Sequence, residues 1–202
     1  MRLYLSSFRM GNHGERLLEL LGNGRRTALI RNAVEHLPFR ADTLERDLAD
    51  LHALNLDVTV LDLREPGAVE GLKNFDGLFV RGGNVFVLRH VMAETGADRE
   101  ILDLLVRDAV VYAGFSAGPC VLSPNLGPLS AVDPLDEAPE PITAGLGVLD
   151  RLFVPHVNSP GHPETGECTR LAAEFLAQGI PHWALRDGEV LLTNGEVTEL
   201  LT

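Results

Sequence analysis

Within Val110–Leu122, V-V-Y-A-G-F-S-A-G-P-C-V-L, a β-branched and aromatic run gives way to Gly114-Phe115-Ser116-Ala117-Gly118, and apolar residues resume at once. A strand, a sharp turn and a helix in that order turn a G-x-S-x-G match into a nucleophile elbow, which lifts a serine hydroxyl clear of both elements. Small residues on either side let the backbone fold back that tightly. Ser116 is therefore the expected nucleophile. The bland alternative is a small-residue turn after a buried strand.

A serine hydroxyl attacks only when a base takes its proton, and seven histidines are available. His36, His52 and His90 fall in or near helical segments, and His13 and His182 near strand ends, where packing is the default role. Leu152-Phe153-Val154-Pro155 drives a strand straight to His156, which makes it the favoured base over His162 in the following Gly-Pro loop. His156, His162, Glu164 and Cys168 fit no zinc spacing, so no metal is expected. The base in turn needs an acid to fix its tautomer. Asp187 closes the strand His182–Arg186 and is preferred, because a strand end holds a carboxylate more rigidly than a proline-rich loop holds its rival, Asp133. Asp187-Gly188 is also a turn dipeptide in its own right. An oxyanion needs fixed donors. The amide of Ala117 is one, and Gly83, where a bare backbone can approach a substrate carbonyl, is the second.

These residues need a frame. Arg2–Ser7, Thr27–Arg31, Asp57–Leu63, Gly77–Val80 and the run into Ser116 read as strands, separated by helical stretches at Glu15–Leu21, Val85–Glu94 and Asp98–Arg107. Leu44, Leu48, Leu51 and Leu54 repeat at helical spacing behind a capping box of Asp42 and Glu45. Such alternation predicts an α/β fold with a mostly parallel sheet and helices on both faces. The turns at Gly82-Gly83 and Ser116 then share the carboxyl edge, where open α/β sheets bind ligands. Ser123–Gly147, with five prolines and four acids, reads as a long loop over the site, with a mobile acidic excursion as the alternative. Thr169–Gln178 is helical. The C-terminus, W-A-L-R-D-G-E-V-L-L-T-N-G-E-V-T-E-L, predicts an antiparallel meander with turns at Asp-Gly and Asn-Gly.

The chain of 202 residues, 45% hydrophobic, suits a single domain over residues 1–202. No apolar run approaches the roughly 18 residues of a membrane span, and the N-terminus lacks a signal peptide's apolar region. Two cysteines are too few for a disulfide scaffold, so a reducing, cytoplasmic setting is expected. The net charge of −12 disfavours nucleic acid and membrane as partners. It points to a small molecule or peptide, and an acidic substrate would need a local cationic pocket.

Taken together, Gly82-Gly83-Asn84-Val85-Phe86, Gly114–Gly118, Pro155-His156 and Leu185-Arg186-Asp187-Gly188 resemble the peptidase E and cyanophycinase family of serine peptidases, in order and spacing over nearly the whole chain. The resemblance implies a flavodoxin-like fold similar to class I glutamine amidotransferases, a Ser-His-acid triad without a cofactor, and a homodimer. It also implies cleavage of a peptide bond after an N-terminal aspartate or beside an aspartyl group. It assigns Ser116 as nucleophile, His156 as base, Gly83 and Ala117 as oxyanion hole, and Asn84 and Arg170 as substrate-binding residues. Either Asp187 or Asp133 can be its acid. The sequence departs from the dipeptidase pattern at Gly166-Glu167-Cys168-Thr169-Arg170, one residue longer than Gly-Glu-Thr-Arg, and one residue turns a helical side chain by about 100°. Val157-Asn158-Ser159 also replaces Phe-Thr after the histidine. An esterase of the α/β-hydrolase type, with its acid between Ser and His, and a noncatalytic binding protein are the rival classes. A cysteine-dependent amidotransferase is disfavoured, since Cys120 lies a helical turn beyond the elbow.

Overall fold

The computed structural model describes residues 1–35, 37 and 40–202, with backbone alone at 40 and 42. His36 and the side chain of Asp42 lie outside the described residues. Parallel strands β1 (Arg2–Ser6), β2 (Arg26–Ile30), β3 (Asp57–Leu61), β4 (Gly77–Val80) and β5 (Val111–Phe115) alternate with helices α1 (Gly14–Leu21), α2 (Arg40–Ala53), α3 (Ala68–Gly71), α4 (Val85–Thr95) and α5 (Ala97–Val106). The elbow helix α6 (Ala117–Cys120) follows β5. Then come β6 (Leu152–Val154), α7 (Thr165–Gln178), β7 (His182–Ala184), β8 (Val190–Asn194) and β9 (Val197–Leu201). The main sheet runs β3-β2-β4-β5-β1-β8-β9, and β6 and β7 pair separately and in parallel.

The period-2 alternation of strands sorts the core into two layers. Leu3 and Leu5 of β1, Ala28 and Ile30 of β2, Leu78 and Val80 of β4 and Tyr112 of β5 pack with α4 and α5. Tyr4, Leu29, Phe79, Val111 and Ala113 face the other way, onto Leu17, Leu20 and Leu21 of α1 and Leu51 of α2. The parallel sheet is thus covered on both faces, as expected. Among the described residues no helix is long and apolar enough to cross a membrane. Cys120 and Cys168 are both free and buried.

Three local expectations need correction. Helix α2 starts at Arg40, so Asp42 stands inside it and not at its N-cap. Helix α7 starts at Thr165, four residues ahead of the expected Thr169, which puts Glu167, Cys168 and Arg170 on its first turns. The expected C-terminal antiparallel hairpin is present, but the wider meander that would have included the strand before Asp187-Gly188 is not. Strands β8 and β9 close around Gly195-Glu196 and β8 pairs antiparallel with β1, but β7 bonds β6 and not β8. Asp187-Gly188 is therefore a crossing between two sheets, because the hydrogen bonds from Leu185 N–H to Val154 (3.0 Å) and from Val157 N–H to Leu185 (2.9 Å) hold this segment on the smaller sheet.

The proline-rich stretch 123–147 forms a packed wall. Leu126 N–H donates to Thr143 at 2.6 Å and Leu146 N–H to Val121 at 2.8 Å, while Leu129 and Ala138 are buried.

Both glycines of the elbow answer to one atom. A Cβ added at Gly114 or at Gly118 would stand 2.2 Å from the Val80 carbonyl oxygen, a backbone atom of the neighbouring strand. Gly118→Ala should therefore lower stability by about 1–3 kcal/mol or more in urea denaturation. Gly166→Ala, on α7 where an added Cβ meets nothing within 4 Å, should raise it by up to about 1 kcal/mol.

Candidate active site

Strand register sets the site. Leu5, Gly114, Val80 and Ile30 stand in one row across β1, β5, β4 and β2. Each strand ends within one residue of that row, so Ser7, Ser116, Arg81 and Arg31 leave the sheet along a single carboxyl edge. This is the edge where open α/β sheets place ligands.

Ser116 takes φ 53° and ψ −115°, a conformation that a residue with a side chain adopts only under constraint. The constraint is local. Cys120 N–H donates to the Ser116 carbonyl at 3.0 Å, and the buried Tyr112 hydroxyl donates to the Gly118 carbonyl at 2.8 Å, clamping the turn between strand and helix. The strain, of order 1–3 kcal/mol, is held by the surrounding packing.

His156 leaves the end of β6, with a positive φ of 59° and a side chain only 1% exposed. Its Nδ1 lies 2.7 Å from Asp187 Oδ1. Two serines support the pair. Ser7 Oγ accepts the His156 N–H at 2.8 Å and donates to Asp187 Oδ1 at 2.9 Å. Ser159 Oγ accepts the Asp187 N–H at 2.8 Å. Burial alone would raise the Asp187 pKa, but the His156 hydrogen bond and charge, with Ser7 adding, hold it below the usual carboxylate range. Neither serine carries a signal in the sequence; a Ser-Ser pair at a strand end has no distinctive spacing.

The other face of the imidazole is stacked. His162 lies parallel to His156, with ring centroids 3.5 Å apart and planes 6° apart, and Phe8 meets both rings edge-on. Burial first, then the His156 charge, push the His162 pKa down to about 4 against the pull of Asp187. His162 and Glu164, with His156, bring ligand atoms within 4.8 Å of one another. Three residues of the set judged unfit for zinc thus converge. Parallel stacked rings direct their lone pairs in separate planes, so one ion would sit well out of at least one plane. Glu164 N–H also donates to His162 Nδ1 at 3.3 Å. This geometry fits an aromatic stack better than a coordination sphere.

Ser116, His156 and Asp187 all line one cavity of about 760 Å3, together with Gly83, Asn84 and Asp133. Gly83 has φ 143° and a Cβ there would meet the Ala33 carbonyl at 2.4 Å, so only glycine fits. Among the described residues the N–H groups of Gly83 and Ala117 donate to no protein acceptor. Asn84 is occupied structurally. Its Oδ1 caps α4 by accepting from Phe86 and Val87, and its Nδ2 donates to the Pro134 carbonyl and to Glu137.

Of the two acids, Asp187 reaches His156. Asp133 instead accepts the Val85 N–H at 2.8 Å, and burial above all, with the charges of Glu164 and Glu137, pushes its pKa up to about 7. Burial likewise raises Glu164, whose Oε2 is 3.9 Å from His156 Nε2. Arg170 is not brought to the cavity. It is half-exposed on α7 and paired with Glu167 and Glu174. The cavity's guanidiniums are Arg46 and Arg81, which the sequence reading did not single out. The Cys120 thiol is buried and raised well above its ordinary value, chiefly by desolvation, which leaves it unreactive.

Comparison with known proteins gives the family and the fold. The model of peptidase family S51 matches residues 5–201. An uncharacterized peptidase of Listeria innocua is 31% identical over 132 residues, 63% of this chain and 61% of that protein. A probable alpha-aspartyl dipeptidase of Drosophila melanogaster is 28% identical over 141 residues, 68% of this chain and 58% of that protein. The chain thus spans about three fifths of the length of these curated relatives. A Listeria monocytogenes crystal structure assigned to peptidase E superposes with a TM-score of 0.84 at 25% identity, covering 99% of this chain and 97% of that one.

Two outcomes follow from the supporting contacts. Ser7→Ala strands the buried His156 N–H and should cost about 1–3 kcal/mol in chemical denaturation. His162 is held neutral in the fold while the unfolded chain protonates near its ordinary value of 6.5. Its contribution to stability is therefore complete above about pH 6.5 and is lost as pH falls toward about 4. His162→Phe keeps the stack and removes this loss, so Tm measured from pH 7 to pH 4 should fall less steeply in the variant than in the wild type.

Proposed function

The chain belongs to peptidase family S51, and we propose that it is a serine-type peptidase in which Ser116, His156 and Asp187 carry the chemistry on short peptides. Dipeptides with N-terminal aspartate are the proposed substrate class. The observation that supports this most directly is the 2.7 Å contact between His156 Nδ1 and Asp187 on the wall of the cavity that Ser116 also lines. With Nδ1–H donating to Asp187, Nε2 keeps its lone pair. It takes the Ser116 proton as Oγ bonds to the scissile carbonyl carbon. The carbonyl oxygen becomes an oxyanion held by the unspent N–H groups of Gly83 and Ala117. The imidazolium, stabilised by Asp187, then gives its proton to the departing amine, leaving an acyl-Ser116. Water attacks the acyl group by the same route in reverse, with His156 as base, and frees the acid product.

The substrate reading has two supports. The cavity carries guanidiniums, Arg46 and Arg81, alongside the carboxyls Asp133 and Glu164, a charge pattern complementary to a short zwitterionic peptide with an added acid. A relative bears the name alpha-aspartyl dipeptidase. The esterase alternative loses ground because the acid bonded to His156 follows it in the chain, whereas α/β-hydrolases place theirs before the histidine.

The test is hydrolysis of Asp-X, Glu-X, Ala-X and longer peptides, together with labelling of Ser116 by a fluorophosphonate. Ser116→Ala should lose labelling and roughly 10^4- to 10^6-fold in kcat, and Asp187→Ala roughly 10^2- to 10^4-fold. Full activity in Asp187→Ala, with activity lost in Asp133→Ala, would refute the proposed triad.

A further inference from the structure

We infer that Arg46 is the group that reads a carboxylate of the substrate in this site, in place of Arg170. The inference rests on the peptidase reading above and names the specificity residue of the same cavity. Arg46 sits on α2, which leaves β2 from the carboxyl edge, and its side chain lines the cavity with Ser116 and His156. Its Nε is buried, and among the described residues it has no hydrogen-bond partner and the guanidinium makes no ion pair. A buried N–H without an acceptor is held at a cost that a ligand oxygen would relieve.

The other cavity cation is spent. Arg81 donates through Nε to Asp47 at 2.7 Å and through a terminal nitrogen to the Gly82 carbonyl at 2.7 Å. Asp47 also receives Arg31 at 3.5 Å, so this carboxylate already serves two guanidiniums. Both contacts fall on Oδ2; among the described residues Asp47 Oδ1 is buried without a hydrogen-bond partner and makes no bond to Arg46, since successive side chains of a helix diverge by about 100°. Burial first, and then the Arg31 and Arg46 charges, hold the Arg81 pKa below its ordinary value despite Asp47. Positive charge is thus crowded at this end of a protein whose net charge is −12. An anionic substrate, repelled at long range, meets there the local cation it requires.

The position also suits the chemistry. The Arg46 guanidinium carbon stands 6.0 Å from the Phe8 ring, and Phe8 in turn touches His156 edge-on at 5.9 Å. One aromatic ring therefore separates the free cation from the proposed base. The scissile bond lies at the middle of a dipeptide of about 7 Å, so a carboxylate sits on each side of it, the aspartyl side chain on one and the C-terminus on the other, and either is a candidate for this cation. Arg170, by contrast, has its donors engaged by Glu167 and Glu174 on the surface of α7.

Binding of Asp-Leu to Ser116→Ala, measured by titration calorimetry, separates this inference from the triad reading, which fluorophosphonate labelling tests in the wild type. Adding Arg46→Gln should weaken Asp-Leu binding roughly 10- to 100-fold. Arg46→Lys, which keeps the charge but not the planar fork, should weaken it less and serves where Gln fails to fold. Asn-Leu and Asp-Leu amide identify the carboxylate. Loss of preference for Asp-Leu over Asn-Leu assigns the side chain, and loss of preference over the amide assigns the C-terminus; either supports the inference. Unchanged affinity and preferences in Arg46→Gln, a drop that falls on Arg170→Gln instead, or no binding of Asp-Leu to Ser116→Ala would overturn it.

Discussion

The Ser7 hydroxyl is the point on which the site depends. His156 and Asp187 come from the ends of β6 and β7, which share no strand with the sheet that carries Ser116. Ser7 ends β1 of that larger sheet, and its single hydroxyl accepts from the His156 backbone and donates to the Asp187 carboxylate. One buried atom therefore docks the small sheet on the large one and orients the His156 segment and the Asp187 carboxylate together. In a low-dielectric interior such a junction stands or falls as a unit, because any partner left unpaired is costly. The positive φ of His156 and the strained backbone of Ser116 are tolerable only because this packing surrounds them.

The parallel sheet contributes the other constraint. Four adjacent strands that end in register deliver Ser7, Ser116, Arg81 and Arg31 along one edge, while helices cover both faces of the sheet. Close approach is what the glycines secure. Gly114 and Gly118 both lie over the Val80 carbonyl, and Gly83 lies against Ala33. Two neighbouring βα turns can then stand close together, and Gly83 and Ser116 line one cavity.

Charge is distributed unevenly in a way that total composition hides. A strongly acidic chain gathers Arg31, Arg46 and Arg81 around Asp47 at the carboxyl edge. The carboxyls Asp133 and Glu164 line the same cavity, and burial raises both. Arg31 and Arg81 are neutralised in part by Asp47, and Asp133 is engaged by the Val85 N–H, so Arg46 and Glu164 are the charges of this cavity left for a ligand.

By itself the sequence determined the order of elements, the two-faced parallel sheet, the elbow at Ser116 and the strand that ends at His156. Those features follow from alternation, helical spacing and small residues at turns, which act over a few neighbouring positions. Tertiary structure alone decided the rest. Asp187 prevailed over Asp133 as the partner of His156 because β7 pairs with β6, although the Asp-Gly dipeptide read locally as a hairpin turn. Arg170 went to the surface because α7 begins four residues earlier than its apolar pattern suggested. Ser7 and Ser159 had no local mark at all: Ser7 meets His156 across 149 residues and Asp187 across 180. Arg46 was likewise invisible, since an unpaired guanidinium is a property of what surrounds it. Contacts of that range depend on strand register and on which sheet a segment joins, and neither is written in the spacing of residues along the chain.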